Sequence, residues 1–276
     1  MSDFRLTVLV ENDAGEGLFP EHGWSVLIET GDGCGLFDTG QTDVVVRNAR
    51  VLGADLAGIS WIVLSHGHYD HTGGLKAVLE IARSPVVFAH PDALLPKYVR
   101  DGDDTWREAG MSMSREEIEK AGASLRECRG AEEVVSGITV TGEVARRTGF
   151  ETVNERFFVD RDGRRVVDGF PDDQALVLDT RKGPVVILGC SHAGVVNTLR
   201  HAAKMTGADG LHAVIGGMHL GGVSEERLAG TIDAFREYEV EKIGPVHCTG
   251  AAAVKEFGRV LGERCVPCPA GTVMEF

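Results

Sequence analysis

Apolar and polar positions alternate through the first part of the chain. FRLTVLVEN, WSVLIETGDG and CGLFDTG each alternate apolar residues and are punctuated by Gly and Asp, which predicts strands with one buried face. VVVRNARVLG changes to helical spacing and stops at Gly53, a candidate C-cap. ISWIVL is the continuous apolar run of a buried strand, GGLKAVLEIARS predicts a helix and PVVFAHP another strand. From about residue 91 to 150 the pattern is less regular, although Ser114 and Glu117 in SREEIEKAG form a capping box for a short helix. GITVTGEVAR reads as extended, and FFVDRDGRRVVDGF as a hairpin around Asp162-Gly163. The last third alternates: QALVLDT and GPVVILGCS (strands), AGVVNTLRHAAKMTG (helix), LHAVIGGMHL (strand), SEERLAGTIDAFREY (helix), KIGPVHCTG (strand), AAAVKEFGRVLG (helix) and GTVMEF (strand). Strands lead in the first half and strand–helix alternation dominates the second. That order predicts an α/β fold with two sheets face to face and helices outside, in a single domain over 1–276 with a less regular insert around 91–150.

Charge narrows the partners. The chain carries 28 Lys+Arg against 42 Asp+Glu, a net −14 with no acidic tail, which disfavours nucleic-acid polymers and anionic membranes. A small anionic substrate remains compatible if bound cations reverse the field locally. No apolar run approaches the roughly 18 residues of a membrane span. MSDFRLTVLVEN has Asp3 early and no long apolar core, so neither a signal peptide nor a membrane anchor is expected. Six cysteines at irregular spacings (34, 128, 190, 248, 265 and 268) in a chain this long suit a reducing, cytoplasmic setting. Cys265 and Cys268 have CxxC spacing but lack a second pair, so a packed strand end is weighed against a zinc or redox motif. A homo-oligomer is compatible with all of this.

The densest chemistry is SHGHYDHTGG, Ser65 to Gly74, directly after ISWIVL. His66 and His68 are two apart in an extended loop and can converge on one cation. Asp70 and His71 follow where a helix begins and can turn toward a second. Gly67 allows a tight bend, and Gly73 and Gly74 leave room at the helix entry. Imidazole and carboxylate together suit zinc, and equally iron, manganese or cobalt. Surface histidines stacked by chance are the alternative, which this density after a strand disfavours.

The same run resembles the signature loop of the metallo-β-lactamase-fold hydrolases, and LFDTG (36–40) resembles the strand-end aspartate motif that precedes it. ILGCSHAGVVNTL, IGGMHL and VHCTG are similar to the dihydropterin-phosphate-synthase-like subgroup. The resemblance implies a four-layer αββα sandwich with two mixed β-sheets, and two divalent metal ions, zinc first, with manganese or iron as alternatives. It implies that His192 joins His66 and His68 on one ion, and that His247 joins Asp70 and His71 on the other. The chain departs from the family pattern: no histidine lies between His90 and His192, and GCSH stands where a GD turn would carry the bridging aspartate. Cys190 is a candidate thiolate in that aspartate's place, with Glu143 a weaker one and a small buried cysteine the bland reading. His219 in GGMHL resembles the late histidine that contacts phosphate or protonates the leaving group in phosphodiesterases of this fold. Asp38 is placed to accept the spare ring N–H of a ligand histidine, or is a turn aspartate. His90 is read as structural or substrate-facing; Arg146, Arg147 and Glu151 as a solvated face or a pocket wall. His22, His201 and His212 receive no role.

From these residues the expected function is a dinuclear metal-dependent hydrolase, a phosphoesterase. A hydroxide shared by the two ions would attack a small phosphorylated or cyclic phosphoester, pterin- or nucleotide-like, with Asp70 and His219 as catalytic candidates. Two readings compete: a mono- or di-iron non-hydrolytic enzyme of the persulfide dioxygenase type, and a metal- or ligand-binding protein without turnover.

Overall fold

The computed structural model describes residues 4–102 and 105–276; Asp3, weighed above against a signal segment, lies outside the described residues. The first third runs β1 (Arg5–Val10), β2 (Ser25–Thr30), β3 (Gly33–Phe37), α1 (Val44–Leu52), β4 (Ile59–Val63), α2 (Tyr69–Thr72), α3 (Leu75–Leu79) and β5 (Val86–Ala89). Then come β6 (Lys97–Arg100), β7 (Trp106–Glu108), α4 (Arg115–Lys120), β8 (Ser124–Glu127), β9 (Glu132–Val135), β10 (Ile138–Val140), β11 (Phe157–Arg161) and β12 (Arg164–Val167). The remainder is β13 (Leu176–Thr180), β14 (Gly183–Leu188), α5 (Val195–Thr206), β15 (Ala213–Gly217), α6 (Glu225–Glu237), β16 (Lys242–Val246), α7 (Ala251–Leu261) and β17 (Val273–Glu275).

Two mixed sheets form the body. One runs β17-β1-β2-β3-β4-β5-β8, parallel from β3 to β8; the other runs β16-β15-β14-β13-β10-β9, parallel from β16 to β14. The alternating residues of facing strands fill the space between them: Leu6, Val8, Val26, Ile28, Trp61 and Val63 meet Ile138, Leu176, Leu178, Val185, Ile187 and Ile215. The outward residues of β4 and β5 pack under α1 and α3 through Val45, Ile62, Leu75, Val78 and Val87. The outward residues of β14 and β15 pack under α5, α6 and α7 through Val186, Leu199, Val214, Phe235 and Phe257. This is the four-layer αββα arrangement, and the strands buried on both faces are the ones that read as near-continuous apolar runs.

Local signals resolve as expected at several points. Gly53 caps α1 in the left-handed region (φ 69°), and Ser114 and Glu117 make both bonds of the capping box. Asp162 (φ 55°) and Gly163 (φ 78°) turn the β11–β12 hairpin. The helix after the histidine loop is shorter than its pattern, because Glu80 to Ala82 close in a turn before Ser84 (φ 54°) and Pro85 redirect the chain into β5. GITVTGEVAR is a strand only to Val140, since Gly142 (φ 65°) bends the chain where a side chain would strike the Gly130 backbone. The β11–β12 hairpin belongs to a third, antiparallel sheet, β12-β11-β6-β7, whose β6 and β7 the pattern does not show.

Candidate metal centre

The C-terminal ends of β3, β4, β14, β15 and β16 meet at one edge of the sandwich. Asp38, just beyond β3 at φ 59°, is fully buried and does three things with one carboxylate. Its Oδ1 accepts the Ser65 N–H at 2.7 Å, and its Oδ2 accepts the Ser65 hydroxyl at 2.7 Å and lies 2.6 Å from His71 Nδ1. That contact puts the His71 ring proton on Nδ1 and turns Nε2 toward Cys190 Sγ and His247 Nε2, each 3.2 Å away. Beside it, His66 Nε2 is 3.0 Å from His68 Nδ1. Asp70 Oδ2 lies 3.2 Å from His247 Nε2, 3.3 Å from His22 Nε2 and 3.8 Å from His71 Nε2.

The second sheet delivers Cys190 and His192 from β14, His219 from β15, and His247 and Cys248 from β16. Five of the eight non-glycine residues with positive φ among the described residues stand here: Asp38, Phe170, Ser191 (φ 56°), His219 (φ 45°) and His247 (φ 51°). Such backbone is costly and persists only where surrounding bonds over-determine it. For His247 those bonds are Glu11 Oε1 accepting its N–H at 2.7 Å, and Asn12, which donates to its carbonyl and lies 3.1 Å from Nδ1. Gly189 sits where the two sheets' loops touch: a side chain there would come within 2.2 Å of Ser65 Oγ.

A strap from Asp168 to Gln174 ties the loops together. Asp172 Oδ2 accepts the N–H of Gly67, between the first two histidines, at 2.9 Å. Its Oδ1 and Asp168 Oδ2 hold Lys97 Nζ at 3.0 and 2.5 Å, and Lys97 is only 2 % exposed. Asp173 Oδ2 accepts the Ala193 N–H beside His192, and Gln174 bonds the Leu64 and Ser65 carbonyls, all at 2.9 Å. Phe170 lies flat on the His192 ring (4.0 Å between centroids, 5° between planes), and Phe157 of the third sheet stacks on His68 at 5.1 Å.

Burial sets the protonation of this cluster. It pushes His66 and His192 well below the usual imidazole range and His68 down to about 3, so these rings are neutral with lone pairs available. Burial acts on His71 too, but the Asp38 and Asp70 carboxylates outweigh it and hold the ring up at about 9. His192 Nε2 and His219 Nδ1 are buried without a hydrogen-bond partner, in a molecule where such atoms are otherwise costly. Donor atoms within 4.8 Å of one another form the groups His66/His68/His192, His66/His71/Cys190, Cys190/His192/His219, Cys190/His247/Cys248 and His22/Asp70/His247. Imidazole, carboxylate and thiol donors around orphaned ring nitrogens fit divalent cations. The donors floor a cavity of about 330 Å³ whose walls include Val99, Ala109 and Phe157 of the third sheet and the segments beside it. A larger hollow of about 600 Å³ behind His247, lined by Glu11 and Asp13 as well as Pro245, Val254, Pro267 and Pro269, holds none of these donor groups.

The structure brings together His66, His68, Asp70, His71, Cys190, His192 and His247, with Asp38 on His71 and the His219 ring 4.6 Å from that of His192. Other candidates go elsewhere. Glu143 bonds His90 Nε2 at 3.0 Å and Arg129, so it does not enter the cluster, and His90 is structural. Arg146 donates to the His192 carbonyl at 2.6 Å, and Glu151 accepts the Val196 and Asn197 N–H groups at the start of α5; both brace the His192 loop and neither lines the cavity. Cys268 is packed in the inter-sheet core, as a strand end would have it. Sequence reasoning missed His22, Cys248, Lys97 and the strap. The DD pair before a buried strand and a lysine inside LLPKYV were the available signals.

The family model of the metallo-beta-lactamase superfamily matches residues 18–202. An uncharacterized protein of Methanocaldococcus jannaschii is 36% identical over 92% of this chain and 94% of its own. From the same organism, the protein named 7,8-dihydropterin-6-methyl-4-(beta-D-ribofuranosyl)-aminobenzene-5'-phosphate synthase is 31% identical over 100% of this chain and 98% of its own. A solved structure described as a metal-dependent hydrolase of the beta-lactamase superfamily superposes with a TM-score of 0.86 at 36% identity, covering 99% of both chains.

Proposed function

The chain belongs to the metallo-beta-lactamase superfamily, and from that premise we propose that it is a dinuclear metal-dependent hydrolase of a small phosphorylated or cyclic phosphoester. The observation that carries the reading is the convergence of imidazole, carboxylate and thiol donors, in groups of three within 4.8 Å of one another, beyond the ends of β4, β14, β15 and β16. In this reading His66, His68 and His192 hold one cation, and Asp70, His71 and His247 the second. Cys190 shares a donor group with members of each trio, which supports it as the thiol donor between them. Zinc suits this set best, with manganese or iron as alternatives. When bound, the cations supply Lewis acidity and a water-derived nucleophile at neutral pH.

The chain's own residues do the rest. Asp38 fixes the His71 tautomer, while Asp172 and Asp173 hold the backbone of the two donor loops. Asp70 faces the cavity between His22 and His247, and His219 lines the same cavity and gives a proton to the leaving group. A cavity of about 330 Å³ suits a small substrate and not a polymer, and the net charge of −14 agrees. The pterin and ribofuranosyl phosphate in the name of the Methanocaldococcus relative support a pterin- or nucleotide-like substrate. We read 1–276 as one domain built around this site. No helix among the described residues is long and apolar enough to cross a membrane, and six free cysteines suit a reducing compartment such as the cytoplasm.

The test is elemental analysis of untagged, gently purified protein beside His71→Ala, followed by a phosphodiester screen. About two equivalents of zinc or manganese, falling toward one in the variant, together with diester turnover, are the expected result. A single iron per chain would redirect the reading to oxygen chemistry, and no retained or reconstituted metal would overturn it.

A further inference from the structure

We infer that the cavity has a second anion-binding position, formed by Arg107 and Arg156, which grips a phosphate or carboxylate at the end of the substrate remote from the metal donors; this rests on the hydrolase reading above. Both arginines line the cavity floored by His68, His192 and His219. Arg107 lies on β7, and Arg156 immediately precedes β11, so both come from the third sheet. They share one counter-ion: Arg156 Nη2 is 3.0 Å from Asp101 Oδ1, and Arg107 Nε is 3.8 Å from Asp101 Oδ2. Two guanidinium groups thus meet on one carboxylate beside the cavity, in a protein whose net charge is −14.

The two forks are also prepared. Arg156 Nε donates to the Arg100 carbonyl at 3.3 Å and its Nη2 donates to Asp101 Oδ1 at 3.0 Å, which fixes the direction of the guanidinium. The Arg107 guanidinium is half exposed, and its contact with Asp101 is the longer one, at 3.8 Å. Guanidinium forks match phosphate and carboxylate geometry with two parallel bonds, as a lysine would not. The same cavity is also lined by the apolar Val99, Ala109 and Phe157. The fitting ligand is therefore a small molecule with a phosphoester at one end, an apolar or aromatic middle and a second anion at the other.

The experiment uses metal-loaded protein and a matched pair of p-nitrophenyl phosphodiesters, one with a neutral alkyl tail and one whose tail ends in a phosphonate. The wild type is expected to show a KM about tenfold lower for the charged tail, the size of effect a charge-assisted pair gives. Arg107→Gln with Arg156→Gln should shrink that ratio to within about twofold. Asp101→Asn, which removes the competing carboxylate, should move it the other way and lower KM for the charged tail further. That opposite sign separates anchoring from damage to the fold. Equal KM values for both tails in the wild type, or a ratio unchanged in both variants, would overturn the proposal. If the loaded wild type turns over neither ester, the hydrolase reading fails by itself. Calorimetric binding of a non-hydrolysable alkylene bisphosphonate then decides the anchor: about tenfold weaker binding in the double variant supports it, and equal binding refutes it.

Discussion

The two halves of the donor set are built on different principles. His66, His68, Asp70 and His71 come from one loop of six residues, and the local pattern alone brings them together. Cys190, His192, His219 and His247 come from three neighbouring parallel strands, and are aimed by positive-φ backbone at Ser191, His219 and His247. The first half is a motif, and the second is a property of the sheet. One strap serves both, and its adjacent aspartates behave oppositely. Burial acts on each; at Asp172, Lys97 and the Gly67 N–H together outweigh it and hold that carboxyl below the usual range, whereas Asp173, which Lys97 does not bond, is pushed up to about 7. A charged brace thus supports the contiguous loop at Gly67, and a brace that titrates near neutrality supports the strand-end loop at Ala193.

Breaking the charged brace should have the largest effect. Lys97→Met leaves Asp168 and Asp172 buried without their cation, which costs on the order of 3–5 kcal/mol. Urea unfolding measures that loss, and elemental analysis should show weaker retention of metal. If the variant unfolds like the wild type and keeps its metal, the histidine loop stands without the strap, and the brace means nothing.

The second brace predicts a pH dependence of opposite cause. Asp173 carries a proton up to about pH 7 when folded, against 3.8 for an ordinary carboxyl. Between those values the folded state binds more protons than the unfolded chain, so this group's contribution to stability is greatest below about pH 4 and falls as pH rises toward 7. Three pH units at about 1.4 kcal/mol each set an upper limit of roughly 4 kcal/mol. The Tm of chelator-treated protein, scanned from pH 4 to 8, should carry this downward component, and Asp173→Asn should remove it. A slope that is identical in the variant would show that the carboxyl titrates normally.

How much of this the sequence disclosed follows the same division. Strand and helix positions were legible because two-residue and helical periodicities survive wherever one face is buried, as in β1, β2 and α1. The histidine loop was legible because its members are close in sequence, and Asp38 because it ends β3, the strand paired with the one that leads into that loop. His192 and His247 could be placed because each follows an apolar run. Lys97, Asp172, His22 and Cys248 could not. Lys97 meets Asp168 across 71 positions and Gly67 meets Asp172 across 105, and no periodicity spans such distances. Half of the third sheet, the β11–β12 hairpin, was legible from its Asp-Gly turn, but β7 was hidden for a different reason: it is a fully exposed strand without the apolar alternation that marks a core face.

The smallest predicted effect tests the comparison most directly, because it asks the same question of one histidine in each half. His71 Nδ1 rests on the Asp38 carboxylate at 2.6 Å, and His247 Nδ1 on the Asn12 amide oxygen at 3.1 Å. In Asp38→Asn the amide can keep the Ser65 N–H bond, but its NH₂ group then faces His71 Nδ1 as a donor. The imidazole must give up the Nδ1 proton and carry it on Nε2, the atom that faces Cys190 and His247. Zinc affinity, read by chelator competition, should fall about 10- to 100-fold, the usual range for losing such a partner. Asn12→Ala removes a neutral partner without reversing the tautomer, so its loss should be only a few-fold. Equal losses in both variants would mean that the two halves hold their histidines alike. A larger loss at Asn12 would mean that the strand-end half, and not the motif, sets the metal affinity.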